Sequence, residues 1–207
     1  MGWQLEWSPD VKAWFKTSRN VNVLEYAGIV LACIITAAAC EAAAFLIPVL
    51  QWCDNTSAVS WGQTACTPTA AAAALAVIHG FWITSSKIHT RAAYIEGPKN
   101  DVGDYLSRND VSNDFGVRDD ERAHPPTAWA FTRDTSNTTN YDTSTPLPQP
   151  WRTQVNTLVK IPQELASMIF TAVSCGRSPP PEQLTLVKQR LTTEFLSAGL
   201  TKFTGTR

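Results

Sequence analysis

The chain has 207 residues, and 44% of them are hydrophobic, which is enough to build the core of one domain plus a tail. Its formal net charge of −1 excludes the strongly basic overall field that marks many nucleic-acid-binding proteins. The N-terminus has no apolar core of the kind found in a secretory signal peptide.

The first predicted elements are a buried helix and a strand. Residues 22–39 are almost wholly apolar and begin at Asn22, a residue type that caps helices, with Glu25 in the predicted first turn. Residues 45–53 predict a strand, in which Pro48 indicates a sheet edge or a bulge.

Two helices are predicted next. Residues 55–62 form a short one, with Asn55 or Thr56 as its cap and Gly62 as its end. A longer helix runs through the alanine-rich segment AAAAALAVIHGFW, with Thr67 as its cap and the following proline at the first helical position.

A second strand and a further helix complete the N-terminal half. Residues 87–97 predict a strand that ends in a Gly-Pro turn. Residues 100–108 predict a short helix capped by Asn100 or Asp101. The order helix, strand, helix, helix, strand, helix is typical of the α/β class.

The C-terminal half has a different composition. Residues 109–150 are acidic, rich in Thr, Asn, Asp and Pro, and lack periodicity, which predicts a disordered linker between residues 1–108 and a tail at 151–207. Residues 154–175 and 181–200 show helical spacing, so the tail is predicted to form two helices that pack as a hairpin or await a partner.

Three acids in the N-terminal half are candidate metal ligands. Glu25 starts a predicted helix, Asp54 ends a predicted strand, and Asp104 lies on the helix after the Gly-Pro turn. Sites in open α/β sheets form outside the carboxyl ends of strands, and carboxylates that converge there repel one another unless hard cations neutralise them. Acidic first turns and caps are common, so each acid alone is better explained by a structural role.

Three segments together resemble the ribonuclease H domain that follows the reverse transcriptase in retrotransposons, particularly elements that carry a tyrosine recombinase. In chain order they are NVLEYAGIVLA at 22–32, VLQWCDNTSAVSW at 49–61 and YIEGPKNDVGDYLSR at 94–108. The resemblance covers roughly residues 20–108 and implies a ribonuclease H-like mixed sheet with flanking helices. By position it implies that Glu25, Asp54 and Asp104 are catalytic and metal-binding. Gly103 replaces the alanine usual before the last Asp.

One departure concerns the family's first catalytic Asp, which lies on the first strand. Here no Asp on a predicted strand precedes Glu25, and Asp10 falls in a predicted Ser-Pro-Asp turn. We therefore expect that 1–108 is a ribonuclease H-like domain that lacks its first strand or part of it. Loss of this acid should depress activity severely, so the resemblance leaves open an active and an inactive domain.

The resemblance further implies metal-dependent hydrolysis of RNA in RNA–DNA hybrids, with two Mg²⁺ or Mn²⁺ ions when active. The implied partners are the hybrid, or another nucleic acid, and the reverse transcriptase portion of the same polyprotein. Lys87, Arg91, Lys99 and Arg108 are predicted to flank the site and contact phosphates, although a solvated surface also explains them.

Two other functions stay open at this point. One is a remnant that binds nucleic acid or protein without catalysis, for which Trp52, Trp61 and Trp82 could stack bases or simply pack in the core. The other is a small membrane-associated protein that uses residues 27–52. The uninterrupted run 27–40 is too short to span about 30 Å of hydrocarbon, which disfavours it.

Cysteine and histidine usage gives two further expectations. The five cysteines include no CxxC pair, which predicts a reducing, intracellular location in cytoplasm or nucleus. No Cys/His pair has zinc-site spacing. His79 in the alanine-rich helix is expected to pack, and His89 in the second strand to be exposed.

Overall fold

The computed structural model describes residues 2–3, 5, 7–41, 43, 45–65, 67–100, 158–159 and 161–197. Within these residues the protein has six α-helices and two parallel two-stranded sheets, which confirms the predicted α/β class. The elements in chain order are β1 (Gly2–Trp3), α1 (Pro9–Ser18), α2 (Val21–Ala39), β2 (Ile47–Cys53), α3 (Thr56–Thr64), α4 (Ala70–Ser85), β3 (Ile88–Tyr94), β4 (Leu158–Val159), α5 (Gln163–Cys175) and α6 (Pro181–Ser197).

Helix α1 is absent from the sequence-based prediction. Ser8 caps it, because its side chain accepts a hydrogen bond from the backbone N–H of Val11, and Pro9 occupies the first position, where no N–H is needed. Asp10 therefore lies in the first turn of a helix, and its assignment to an isolated turn was wrong. The helix buries Val11 as its one fully covered residue.

Helix α2 is the centre of the core. Twelve of its 19 residues are buried, because it packs against α3, α4, α5, α6 and the β2–β3 sheet. Its cap position is Asn20 rather than the predicted Asn22, so Glu25 lies in the second turn and not the first. The start moves because α1 ends at Arg19 in a left-handed conformation, a break that hydrophobic patterning does not reveal.

The membrane alternative concerns α2 and the chain segment after it. In the described part of the chain, α2 is the one helix long and apolar enough to cross a membrane, and 61% of its apolar window is buried within the protein. A core helix and a signal sequence meet the same criterion. The segment 27–52 is divided between α2 and β2, so it does not form a single helix.

Strands β2 and β3 form a parallel pair in register from Ile47 opposite Ile88 to Cys53 opposite Tyr94. Parallel strands require a crossover connection, which α3 and α4 supply. Both strands are shorter than predicted. In the described residues β2 pairs with β3 alone, so Pro48 lies on an edge strand, as expected.

The two faces of this sheet differ. The face toward the helices is buried and includes Cys53 and Ala92. On the other face Leu50 and Trp52 are 51% and 58% exposed. The alternation of burial along β2 is the usual result of a strand that packs on one side.

Helix α3 begins at the predicted cap, Asn55, whose side chain accepts from the N–H of Ala58 at 2.9 Å. It runs past the predicted end at Gly62 to Thr64. A Cβ at Gly62 would lie 3.2 Å from Cβ of Ala92 on β3. The glycine therefore allows close packing of α3 on the sheet and does not terminate the helix.

Helix α4 starts at Ala70, two residues after the predicted first helical position, Pro68. Its cap is Thr69, which accepts from the N–H of Ala72 at 3.1 Å, and not Thr67. Pro68 consequently precedes the helix instead of occupying its first position. Several hydroxyl residues in a row offer alternative caps, and backbone geometry selects among them.

The described C-terminal residues belong to the same hydrophobic core as α1–α4. Helix α5 packs on α4, α1 and α2, and α6 packs on α2 and α4. Leu158–Val159 is a strand that pairs in parallel with Gly2–Trp3, so the prediction of helix from residue 154 was wrong there.

Lys188 on α6 forms polar contacts with the end of α4 and with Glu41 after α2. Its amine donates to the carbonyl of Ser85 at the end of α4 and pairs with Glu41 Oε1 at 3.4 Å.

Residues 101–157 contain several predicted features that lie outside the described residues. They are most of the predicted helix 100–108, the linker 109–150 and the start of the tail. A 3-10 turn, Gly97–Lys99, occupies the predicted Gly-Pro turn immediately before them.

Candidate metal centre

The site lies at the carboxyl end of β2. Asp54 directly follows the last strand residue, Cys53. The carbonyl of Cys53 accepts a hydrogen bond from the N–H of Ile95 at 3.0 Å, so pairing with the neighbouring chain continues to this edge. Edges of this kind, where parallel strands end together, are the usual location of ligand sites in α/β proteins.

Helix α2 brings Glu25 to this edge. One potential ligand atom each from Glu25, Cys53 and Asp54 lies within 4.8 Å of the others. Both carboxylates are partly buried, and the thiol is buried. Two of the three predicted acids, distant in sequence, are therefore together.

Asn55 ties the elements of the site to one another. Its Oδ1 caps α3, and its Nδ2 donates to Oδ1 of Asn22 in the first turn of α2 at 2.8 Å. This amide pair joins the start of α2 to the residue after Asp54. It thereby positions Glu25 and Asp54 on the same side of the strand end.

The two carboxylates act electrostatically on the buried Cys53 thiol. The pKa of the Cys53 thiol is raised to about 11, mainly by burial, with a smaller contribution from the charges of Glu25 and Asp54 and against the effect of a hydrogen bond from the Asn55 backbone. Carboxylates that lie close together can share a bound cation, which offsets their mutual repulsion.

The third predicted acid, Asp104, lies outside the described residues. The chain that leads toward it passes close to the cluster, since a Cβ at Gly97 would stand 3.9 Å from Oδ2 of Asp54. Gly97 begins the 3-10 turn after β3.

The four predicted phosphate-binding residues are distributed differently from the prediction. Lys87 precedes β3 and lies about 20 Å along the strand from the carboxyl edge, so it does not flank the site. Its amine donates to the carbonyl of Ala43 at 2.8 Å. Lys99 lies after β3 and forms an exposed ion pair with Glu96 at 3.0 Å. Arg108 lies outside the described residues.

The exposed face of the sheet carries Arg91 beside an aromatic residue. Arg91 is opposite Leu50 in the register and shares its exposed face with Trp52. Trp61 and Trp82 are buried in the core instead. Trp52 therefore does not pack in the core, which was one of the two roles considered for the three tryptophans.

The two histidines on described elements behave as expected. His79 is 4% exposed and packs within the core, and His89 is exposed.

Cys53 is the member of the cluster that the sequence analysis missed. A search for Cys/His zinc spacing overlooks it, because its neighbours in the site are carboxylates. Its adjacency to Asp54 at a strand end is the one signal in the sequence.

Comparison of the chain with family models, with curated proteins and with solved structures finds no match in any of the three.

Proposed function

We propose that this chain is a ribonuclease H-like domain whose reaction is metal-dependent hydrolysis of RNA in RNA–DNA hybrids. The observation that carries the proposal is the meeting of Glu25 and Asp54 within 4.8 Å at the carboxyl end of a parallel strand. Either acid alone is explained by its local helix or turn. Their convergence from two elements is not required by capping or by packing.

The order of elements supports the same proposal. A helix that bears Glu25 precedes a strand that ends before Asp54, and a helical crossover leads to a parallel strand. The resemblance places its three motifs in this order, with Asp104 as the third acid of the proposed site.

The donors fit the metal that this function needs. Carboxylate oxygens are the ligands that Mg²⁺ and Mn²⁺ prefer, and Glu25 and Asp54 supply them from partly buried positions. Cations held there would activate water and neutralise charge on the phosphodiester. The protein's own contribution is to hold the two carboxylates close through the Asn22–Asn55 bond.

Exposed side chains on the open face of the sheet and after β3 suit a nucleic-acid backbone. Arg91 and Trp52 share the open face of the sheet, and Lys99 lies just beyond β3. A cationic side chain contacts phosphates, and an aromatic ring stacks on bases or sugars. Neither contact depends on the base sequence, so both are compatible with recognition of a hybrid by its shape.

The expected catalysis is weak. Asp10 is the acidic residue that precedes Glu25 among the described residues, and it lies in α1 and not on a strand. The proposed set is therefore Glu25, Asp54 and Asp104, without the additional strand aspartate of the family.

The test is cleavage of a labelled RNA–DNA hybrid by the purified chain in Mg²⁺ or Mn²⁺. Asp54→Asn should reduce cleavage by at least roughly 100-fold, because it removes a direct ligand. Asp10→Asn is the matched control, since it replaces an exposed aspartate in α1 that is not part of the cluster, and it should retain cleavage. Equal rates for wild type and Asp54→Asn would refute the assignment.

The exposed face with Trp52 and Leu50 favours a second candidate, a binding module without catalysis. A folded wild-type chain that binds the hybrid and does not cleave it in either metal would support this candidate and contradict the first.

A further inference from the structure

We propose that Glu25, Cys53 and Asp54 form a mixed thiolate–carboxylate site for a thiophilic divalent cation, of which zinc is the representative. Such an ion would occupy the carboxylates that the proposed reaction needs and so inhibit it. The inhibitory consequence rests on the proposed function, whereas the metal site itself stands on the geometry of the three side chains.

The types of donor atom in the cluster favour zinc over magnesium. Mg²⁺ prefers oxygen ligands throughout, whereas Zn²⁺ binds thiolate sulfur together with carboxylate oxygen. First-row affinities also place zinc well above the hard cations at sites that contain sulfur. A thiol beside two carboxylates therefore selects a different ion from the one that suits the carboxylates alone.

The spacing carries the second step. Donors around one tetrahedral zinc lie about 3.5 Å apart. The three candidate atoms are already within 4.8 Å of one another, so binding needs a contraction of about 1.3 Å or less, which side-chain torsions can supply. Three protein ligands leave a fourth position for water, as in open zinc sites.

The surroundings carry the third step. Cys53 is only 6% exposed, so a metal bound there is partly shielded from water. Cys53 and Asp54 are consecutive, and the Asn22–Asn55 bond holds α2 beside them. When the metal binds, the thiol releases its proton to solvent. The resulting thiolate and the two carboxylates then bind the divalent cation together.

Cobalt titration of the full chain tests the site directly. Co²⁺ occupies zinc sites and gives a near-ultraviolet charge-transfer band when a thiolate is a ligand. We expect this band in the wild type, its loss in Cys53→Ala, and its displacement by added Zn²⁺. Cys33→Ala, a substitution of another buried cysteine that lies in α2, is the matched control and should retain the band.

Hybrid cleavage in Mg²⁺ then tests the regulatory consequence. Zn²⁺ should inhibit the wild type, and Cys53→Ala should need roughly 10-fold more Zn²⁺ for the same inhibition. Cobalt binding without the band, or a band that persists in Cys53→Ala, would overturn the thiolate site even if cleavage occurs. A Cys53-dependent band in a chain that does not cleave would support the site and refute the proposed function.

Discussion

Acidification tests the buried pair that Tyr26 and His79 form between α2 and α4. Tyr26 Oη lies 3.2 Å from His79 Nδ1, and the hydroxyl donates when that nitrogen carries no proton. The other ring nitrogen, Nε2, is buried without a hydrogen-bond partner in the described structure. The neutral ring then carries its proton on Nε2, so protonation at Nδ1 would place a positive charge in the core and make Tyr26 Oη the acceptor.

The pH dependence results from this burial. Burial lowers the pKa of His79 from 6.5 to about 4. The unfolded chain takes up a proton below its own pKa of 6.5 while the folded protein does not, so stability is complete above that pH and falls as the pH drops toward 4. Between about pH 7.5 and about pH 5 the expected loss in the free energy of unfolding is about 2 kcal/mol.

Urea denaturation at the two pH values measures this loss. His79→Asn keeps an acceptor near the position of Nδ1 but cannot take up the proton, so its stability should fall by about 2 kcal/mol less than that of the wild type. His89→Asn, at an exposed position on β3, is the control for removing a histidine and should behave as the wild type. An equal fall in His79→Asn and wild type would refute the buried neutral imidazole.

Two further predictions concern helix ends, and the second is paired with a substitution in a helix interior. Asn55→Ala removes both the cap of α3 and the hydrogen bond to Asn22, so the free energy of unfolding, measured by urea denaturation, should fall by about 2 kcal/mol. Asn22→Ala removes the hydrogen bond between the two amides and leaves the cap. A fall in Asn55→Ala no larger than in Asn22→Ala would contradict a separate capping role. Gly176→Ala should cost about 2 kcal/mol or more, because Gly176 has φ +62° and a Cβ there would lie 2.8 Å from Cβ of Ala70. Gly28→Ala, with nothing within 4 Å, should instead stabilise α2 by up to about 1 kcal/mol, and a loss there would refute the distinction.

Local patterns predicted the type of most described elements in the N-terminal half. The apolar run of α2, the apolar segment of β2 and the Asn55 cap of α3 all depend on neighbours close in sequence, and the structure confirms these elements. Boundaries were less predictable. Asn22 is a suitable cap for α2, but the helix begins after Asn20. Thr67 is likewise suitable for α4, which begins after Thr69. In both cases the conformation of the preceding backbone decides where the helix begins.

Long-range packing decided the features that the patterns missed. Helix α1 buries little of its own surface, and Leu158–Val159 is a strand because Gly2–Trp3 lies beside it. Gly62 resembled a helix end in sequence, yet it provides the space in which α3 approaches Ala92 on β3. These contacts join residues far apart in the chain, which no local period encodes.

The candidate site divides in the same way. By itself the sequence determined the residue types, the order of the acids and the position of Asp54 after a strand, because the end of an apolar run is visible in the local pattern. Only the tertiary structure decided that Glu25 reaches Asp54, that Cys53 joins them and that Lys87 lies at the far end of β3. The physical reason is that packing of α2 on the β2–β3 sheet, and not chain spacing, sets the distances between side chains on different elements.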